Sequence, residues 1–229
     1  MRGENPPRVG LALGRGTRGF PSPDSGMAWN SAHIAAGTRH LRRVDPILRE
    51  VIDRVGPCTL KPHRNRFEML VWSIVSQQIS SKAARSIKDR LLAHVAPQRI
   101  APAVLTGVSD PELRQLGISP QKLRAIRDLT ERALRKEPCL ASLHRYDDAE
   151  VIERLVEVRG IGVWTAQMFL MFSLGRPDVL PWGDLGIRTA IQRLYDLPAL
   201  PDRGECERVA VAWRPHATLA SWYCWRSLE

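Results

Sequence analysis

From residue 45 onward, apolar side chains recur with a period close to that of an α-helix. Asp45 and Pro46 supply an N-cap and a proline at the first helical position, and Ile47, Leu48, Val51, Ile52 and Val55 follow before Gly56 closes the stripe. Phe67, Leu70, Val71, Ile74 and Val75 stand at i, i+3, i+4, i+7 and i+8, a helix with one buried face. A turn over residues 77–81 precedes a further stripe through Ala83, Ala84, Ile87, Leu91 and Leu92. Ser119 and Pro120 open another, through Leu123, Ile126, Thr130 and Ala133. Asp147, with Glu150 three residues later, has the form of a capping box ahead of Val151, Ile152, Leu155 and Val156. Residues 164–174, 185–194, 206–213 and 218–227 fit the same period. No sustained period-two alternation occurs. The pattern predicts an all-α protein of roughly nine or ten helices joined by short loops.

Between two of these stripes lies Gly160-Ile161-Gly162. Glycines permit positive φ angles and close backbone approach, so Ile161 is expected to tuck between the helices. Such a turn presents backbone N–H groups at a helix N-terminus, where an anion such as a DNA phosphate is favoured. Taken alone, the motif reads better as an ordinary tight turn between helices. Residues 113–122, around Gly117, and residues 155–164 both read as helix, glycine turn, helix, but one short match is too weak to define a repeat.

Composition narrows the partner rather than the fold. Hydrophobic residues make up 44% and charged residues 25%, which excludes wholesale disorder. The charge-free run over residues 160–175 is too short and too polar to span a bilayer. Cys58, Cys139, Cys206 and Cys224 are scattered without a C-x-x-C pair, which argues against a disulfide framework, a structural zinc and an iron–sulfur cluster. Lys and Arg number 34 against 24 Asp and Glu, a net charge of +10 that favours a polyanionic partner. Residues 1–29 form a glycine- and proline-rich stretch without periodicity and are expected to be a disordered extension to a folded unit over residues 30–229. Its four arginines leave a transit peptide open, and Met27 is an alternative start.

Four segments carry a family resemblance. Val158-Arg-Gly-Ile-Gly-Val-Trp-Thr-Ala166 followed by Leu180-Pro-Trp-Gly-Asp-Leu-Gly-Ile-Arg188 resembles the helix-hairpin-helix DNA glycosylase superfamily. Ser76-Gln-Gln-Ile-Ser-Ser-Lys-Ala-Ala84 and Trp213-Arg-Pro-His-Ala-Thr-Leu-Ala-Ser-Trp-Tyr-Cys-Trp225 resemble its DNA-3-methyladenine glycosylase II branch. The resemblance covers about residues 40–228 and implies two helical lobes facing each other across a DNA-binding cleft. It implies double-stranded DNA with alkylated bases as partner, no membrane association and a monomer. Bacterial members would be cytoplasmic and nucleoid-associated, and eukaryotic members nuclear. No cofactor is implied beyond a monovalent cation at the hairpin backbone.

The same resemblance assigns roles. Asp184 is the expected catalytic residue. Its sequence context, Gly-Asp before an apolar run, also makes it an N-cap, and negative charge is favoured there. Breaking an N-glycosidic bond passes through an oxocarbenium-like sugar, which a fixed carboxylate stabilises. Strand-nicking relatives carry a Schiff-base lysine in the hairpin where Trp164 stands here, which implies a monofunctional enzyme that uses water. Trp164, Met168, Leu185 and Trp225 are expected to line the base pocket, with Trp182 beside Asp184 as a further candidate. Electron-rich rings suit a purine that alkylation has made cationic. Gln78 and Ile79, flanked by Ser80, are the candidates for the wedge that fills the space of a flipped nucleotide. Lys82 and Arg159 join Gly160, Ile161 and Gly162 as expected phosphate contacts. Two alternatives stay open: a glycosylase for another damaged base, and a non-catalytic hairpin DNA-binding protein.

Overall fold

Side-chain caps and short turns divide residues 30–229, the part of the chain described by the computed structural model, into twelve α-helices. The predicted disordered extension lies outside the described residues. α1 (Ser31–Val44) starts under Asn30, whose side chain accepts from the His33 N–H at 2.8 Å. α2 (Pro46–Val55) starts under Asp45 and ends at Gly56, as its stripe predicts. α3 (Arg66–Ser76), α4 (Ser81–Val95), α5 (Pro102–Gly107) and α6 (Asp110–Gln115) precede the long α7 (Pro120–Arg135), which Ser119 caps. α8 (Asp148–Val156) carries the predicted capping box of Asp147 and Glu150. α9 (Val163–Phe169) widens into a π turn over Leu170–Leu174. α10 (Leu185–Leu194), α11 (Arg203–Ala210) and α12 (Ala217–Arg226) complete the chain.

The all-α expectation agrees with this architecture, but the helix number was set too low. α1 has only Gly37 and Leu41 buried, and α5 and α6 have six residues each, so none displays a full apolar period. α11 begins three residues before its predicted start because Asp202 and Glu205 form a further capping box.

Two hydrophobic cores form. The first joins α3, α4 and α7 to α9, with Leu70, Ile74, Leu91, Ile126, Leu155 and Phe169 sealed from solvent. The second joins α1 and α2 to α10 and α12 through Leu41, Leu48, Ile187, Ile191 and Tyr223. Each such side chain contributes about 1.5–3 kcal/mol on burial. The chain therefore leaves its N-terminal helices in the lobe that its last helices complete. Within that lobe Asp45 is 5% exposed, and its carboxylate accepts from Ile47 and Leu48 N–H, from Trp213 Nε1 at 2.9 Å and from the Tyr195 hydroxyl. A buried charge needs such donors. Trp225 packs against both cores and marks the seam between the lobes.

Candidate active site

Asp184 stands at that seam, at the start of α10. Its Oδ1 accepts the Ile187 N–H at 2.9 Å, so it is the N-cap that its sequence context predicts. Two indoles reach the same carboxylate. Trp225, from α12, donates Nε1 to Oδ1 at 2.9 Å, and Trp164, from α9, donates Nε1 to Oδ2 at 2.8 Å. Gly186 makes room for this: a Cβ there would lie 3.0 Å from both Asp184 Oδ1 and Trp225 Cδ1. All three donors are neutral, and among the described residues no cation pairs with the carboxylate. The group is thus fixed in position while its full negative charge stays available to a cation arriving at the seam.

Beside it, α8 turns into α9. Gly160 has φ +77°, and a Cβ on it would sit 2.7 Å from Ala125 Cβ, so the turn lies backbone-close on α7. Gly162 has φ −99° and ψ 177° and caps α9 with no side chain. Of the two glycines, only Gly160 therefore uses the positive φ that glycine permits. Ile161 is buried between the helices as expected. The Arg159 N–H is held by Asp128 Oδ2 at 2.8 Å, and its side chain is exposed.

The turn between α3 and α4 faces the same side. Gln78 adopts a left-handed conformation, φ 55°, and is exposed, and Ile79 is 37% exposed. Ser80 has a defined structural task, accepting the Ala83 N–H at 3.2 Å as N-cap of α4. Lys82 is exposed. The residue that sequence reasoning passed over is Gln77, whose Nε2 donates to the Gly160 carbonyl at 2.8 Å. Lys122 anchors the turn from below through a 2.7 Å bond from Nζ to the Val75 carbonyl, and burial lowers its pKa.

Of the five pocket candidates, Trp164 and Trp225 meet on the Asp184 carboxylate, and Leu185 follows Asp184 in the chain. Trp164 is 37% exposed, Leu185 66% exposed, and Trp225 is half-buried against Phe172 with ring centroids 5.9 Å apart. Met168 is 6% exposed within the first core and offers little surface to a base. Trp182 packs on the second core, with the Arg203 guanidinium 5.3 Å from its ring centroid. Phe172, not foreseen, extends the aromatic surface behind Trp225. For a cation the hairpin offers backbone oxygens. Val158 O accepts the Ile161 N–H and Gly160 O accepts Gln77, which leaves each a second lone pair.

Two helical lobes meeting over a helix-capping carboxylate, with a glycine hairpin alongside, define a helix-hairpin-helix protein. Residues 71–215 match the model of the HhH-GPD superfamily base excision DNA repair proteins, and the chain belongs to that family. It is 31% identical over 195 residues to DNA-3-methyladenine glycosylase 1 of Schizosaccharomyces pombe, covering 82% of this chain and 85% of that one. A crystal structure of DNA-3-methyladenine glycosidase from Bacillus halodurans superposes with a TM-score of 0.73 at 36% identity, over 83% of this chain and 88% of the other. The S. pombe 3-methyladenine DNA glycosylase Mag1 in complex with abasic DNA gives a TM-score of 0.72 at 29% identity, over 84% and 96%.

Proposed function

We propose that the protein is a monofunctional DNA glycosylase that releases alkylated purines, with Asp184 as its catalytic carboxylate. The observation that carries this reading is the Asp184 carboxylate itself, held at the seam by three neutral N–H donors and, among the described residues, no cation. The names of the relatives, DNA-3-methyladenine glycosylases, support the substrate class.

Gln78 and Ile79 enter the duplex as the target nucleotide leaves it, and hairpin backbone groups hold the neighbouring phosphates. The extruded purine stacks against Trp164, Trp225 and Leu185. Alkylation has made that ring cationic, so it favours indole faces by roughly 0.5–2 kcal/mol. The N-glycosidic bond breaks with its electron pair passing to the purine nitrogen, which neutralises the ring's charge. The sugar becomes an oxocarbenium ion opposite Asp184, water adds to C1′, and Asp184 accepts the proton. The product is an abasic site. With tryptophan at position 164, no hairpin amine is there to form a Schiff base, and Lys122 is engaged on Val75. The Val158 and Gly160 carbonyls would hold a monovalent cation, which would lend positive charge to the hairpin; the monomer is the acting unit, and the protein resides with the cell's DNA.

The test is mass-spectrometric identification of bases freed from methylated DNA by the wild type and by Asp184→Asn. Release of alkylated purines by the wild type, with a loss of at least about a hundredfold in the variant, is expected. DNA binding without release, unchanged by the substitution, would sink the reading in favour of a non-catalytic binding protein.

A further inference from the structure

Beyond the hairpin, α6 and α7 enclose an open groove of about 920 Å³ whose wall includes Arg159. Four arginines line it, Arg114, Arg124, Arg127 and Arg159, against Asp110, Asp128 and Glu131. The acids are all engaged. Asp110 pairs with Arg127 at 2.7 Å, Asp128 with Arg132 at 3.2 Å and with the Arg159 N–H, and Glu131 with Arg135. Arg127 is further committed to the carbonyls of Leu105 and Val108. Among the described residues, that leaves Arg114, Arg124 and Arg159 exposed, with no acid or carbonyl on their guanidinium groups, lining one concavity.

Arginines that support this fold find acceptors, as Arg66 does at Leu140 and Ala141 and Arg90 at Leu116. Three that find none on the wall of one groove leave positive charge there uncompensated, and a polyanion complements it. We infer that this groove is a second phosphate-binding surface, taking the sugar–phosphate backbone of the duplex beyond the nucleotides held at the hairpin. Arg159 belongs to both surfaces, and the Asp128 bond to its N–H fixes the hairpin against the groove wall. The inference rests on duplex DNA being the substrate.

The test is the salt dependence of duplex binding by Arg114→Gln/Arg124→Gln, followed by fluorescence anisotropy. Each phosphate contact contributes about 0.9 to the slope of log affinity against log salt, so losing two flattens it by roughly 1.8. Near 0.1 M salt the same arithmetic lowers affinity on the order of tens-fold. Single-turnover base release at saturating protein is expected to match the wild type. Arg114→Lys/Arg124→Lys keeps both charges and should keep the slope. A Gln variant with wild-type slope and affinity overturns the groove as a DNA surface, and so does a Lys variant as flat as the Gln one. Failure of the wild type to bind duplex DNA or release bases would instead strike the glycosylase reading itself.

Discussion

The side-chain amide of Gln77 donates to the Gly160 carbonyl at 2.8 Å across 83 residues of sequence. The α3–α4 turn and the hairpin are thereby set at a fixed distance from one another. A neutral hydrogen bond at the surface contributes only about 0.5–1.5 kcal/mol to stability. Misplacing reacting groups by an ångström costs far more in rate. Gln77→Ala is therefore expected to shift the melting temperature little, while base excision from a lesion duplex falls by roughly tenfold to a hundredfold. An excision rate equal to wild type would mean that the two elements act independently.

The two indoles on Asp184 make separable contributions. Hydrogen bonds to a charged group are worth about 1.5–3 kcal/mol, so Trp164→Phe and Trp225→Phe should each lower the rate of base release by roughly ten- to a hundredfold. Trp164 is partly exposed, and its replacement should leave thermal stability near wild type. Gly186→Ala probes the same contact without touching either ring. Its methyl group displaces Trp225 or Asp184, while helix propensity adds up to about 1 kcal/mol. Kinetics and calorimetry on one preparation are expected to show an enzyme that is no less stable and distinctly slower. A Gly186→Ala enzyme of undiminished rate would show that the carboxylate needs no such close approach.

The hairpin glycines should differ sharply on substitution. Gly160→Ala meets both an unfavourable φ and a 2.7 Å contact with Ala125 Cβ, and a loss of about 1–3 kcal/mol is expected. Gly162→Ala has an ordinary φ and open space, so a change within about 0.5 kcal/mol is expected. Urea unfolding of both variants checks this, and equal losses would contradict the asymmetry.

Stability should also depend on pH through His216. Burial, and after it the neighbouring His40, lowers its pKa, with Asp178 opposing and His33 adding to the effect. The rings of His40 and His216 lie 5.1 Å apart, against α1. In the unfolded chain His216 regains its ordinary value of about 6.5 and takes up a proton first, so the stabilising contribution is complete above that pH and is lost as pH falls below it. Melting temperatures of the wild type at about pH 7.5 and about pH 5.5 should differ by more than those of His216→Gln. The same drop in both proteins would place the titrating group elsewhere.

Much of this was legible in the chain because capping is local. Asp45-Pro46, Ser119-Pro120 and Asp147 with Glu150 each announce a helix within four residues, and the structure starts α2, α7 and α8 there. Asp184 was readable for the same reason, its capping bond reaching only to Ile187. Long-range geometry was not readable. The bond from Trp225 to Asp184 spans 41 residues and depends on how α12 lies against α10. Nothing in its own neighbourhood distinguishes Gln77 from Gln78. Met168 keeps a pocket spacing from Trp164, yet the path of α9 turns it into the first core. α1 hid because only Gly37, which lies against His216 and Leu219, and Leu41 are buried in it, so no apolar stripe runs along it.

Trp225 alone among the site residues packs on both cores while donating to Asp184. A hydrogen bond tolerates only a few tenths of an ångström before it weakens steeply. Chemistry is thereby made conditional on the register of the two lobes, and inactivation on warming should run ahead of unfolding. On the proposed function, a molecule whose second lobe has loosened is expected to stay on DNA by its hairpin and release no base: it occupies a lesion without opening it.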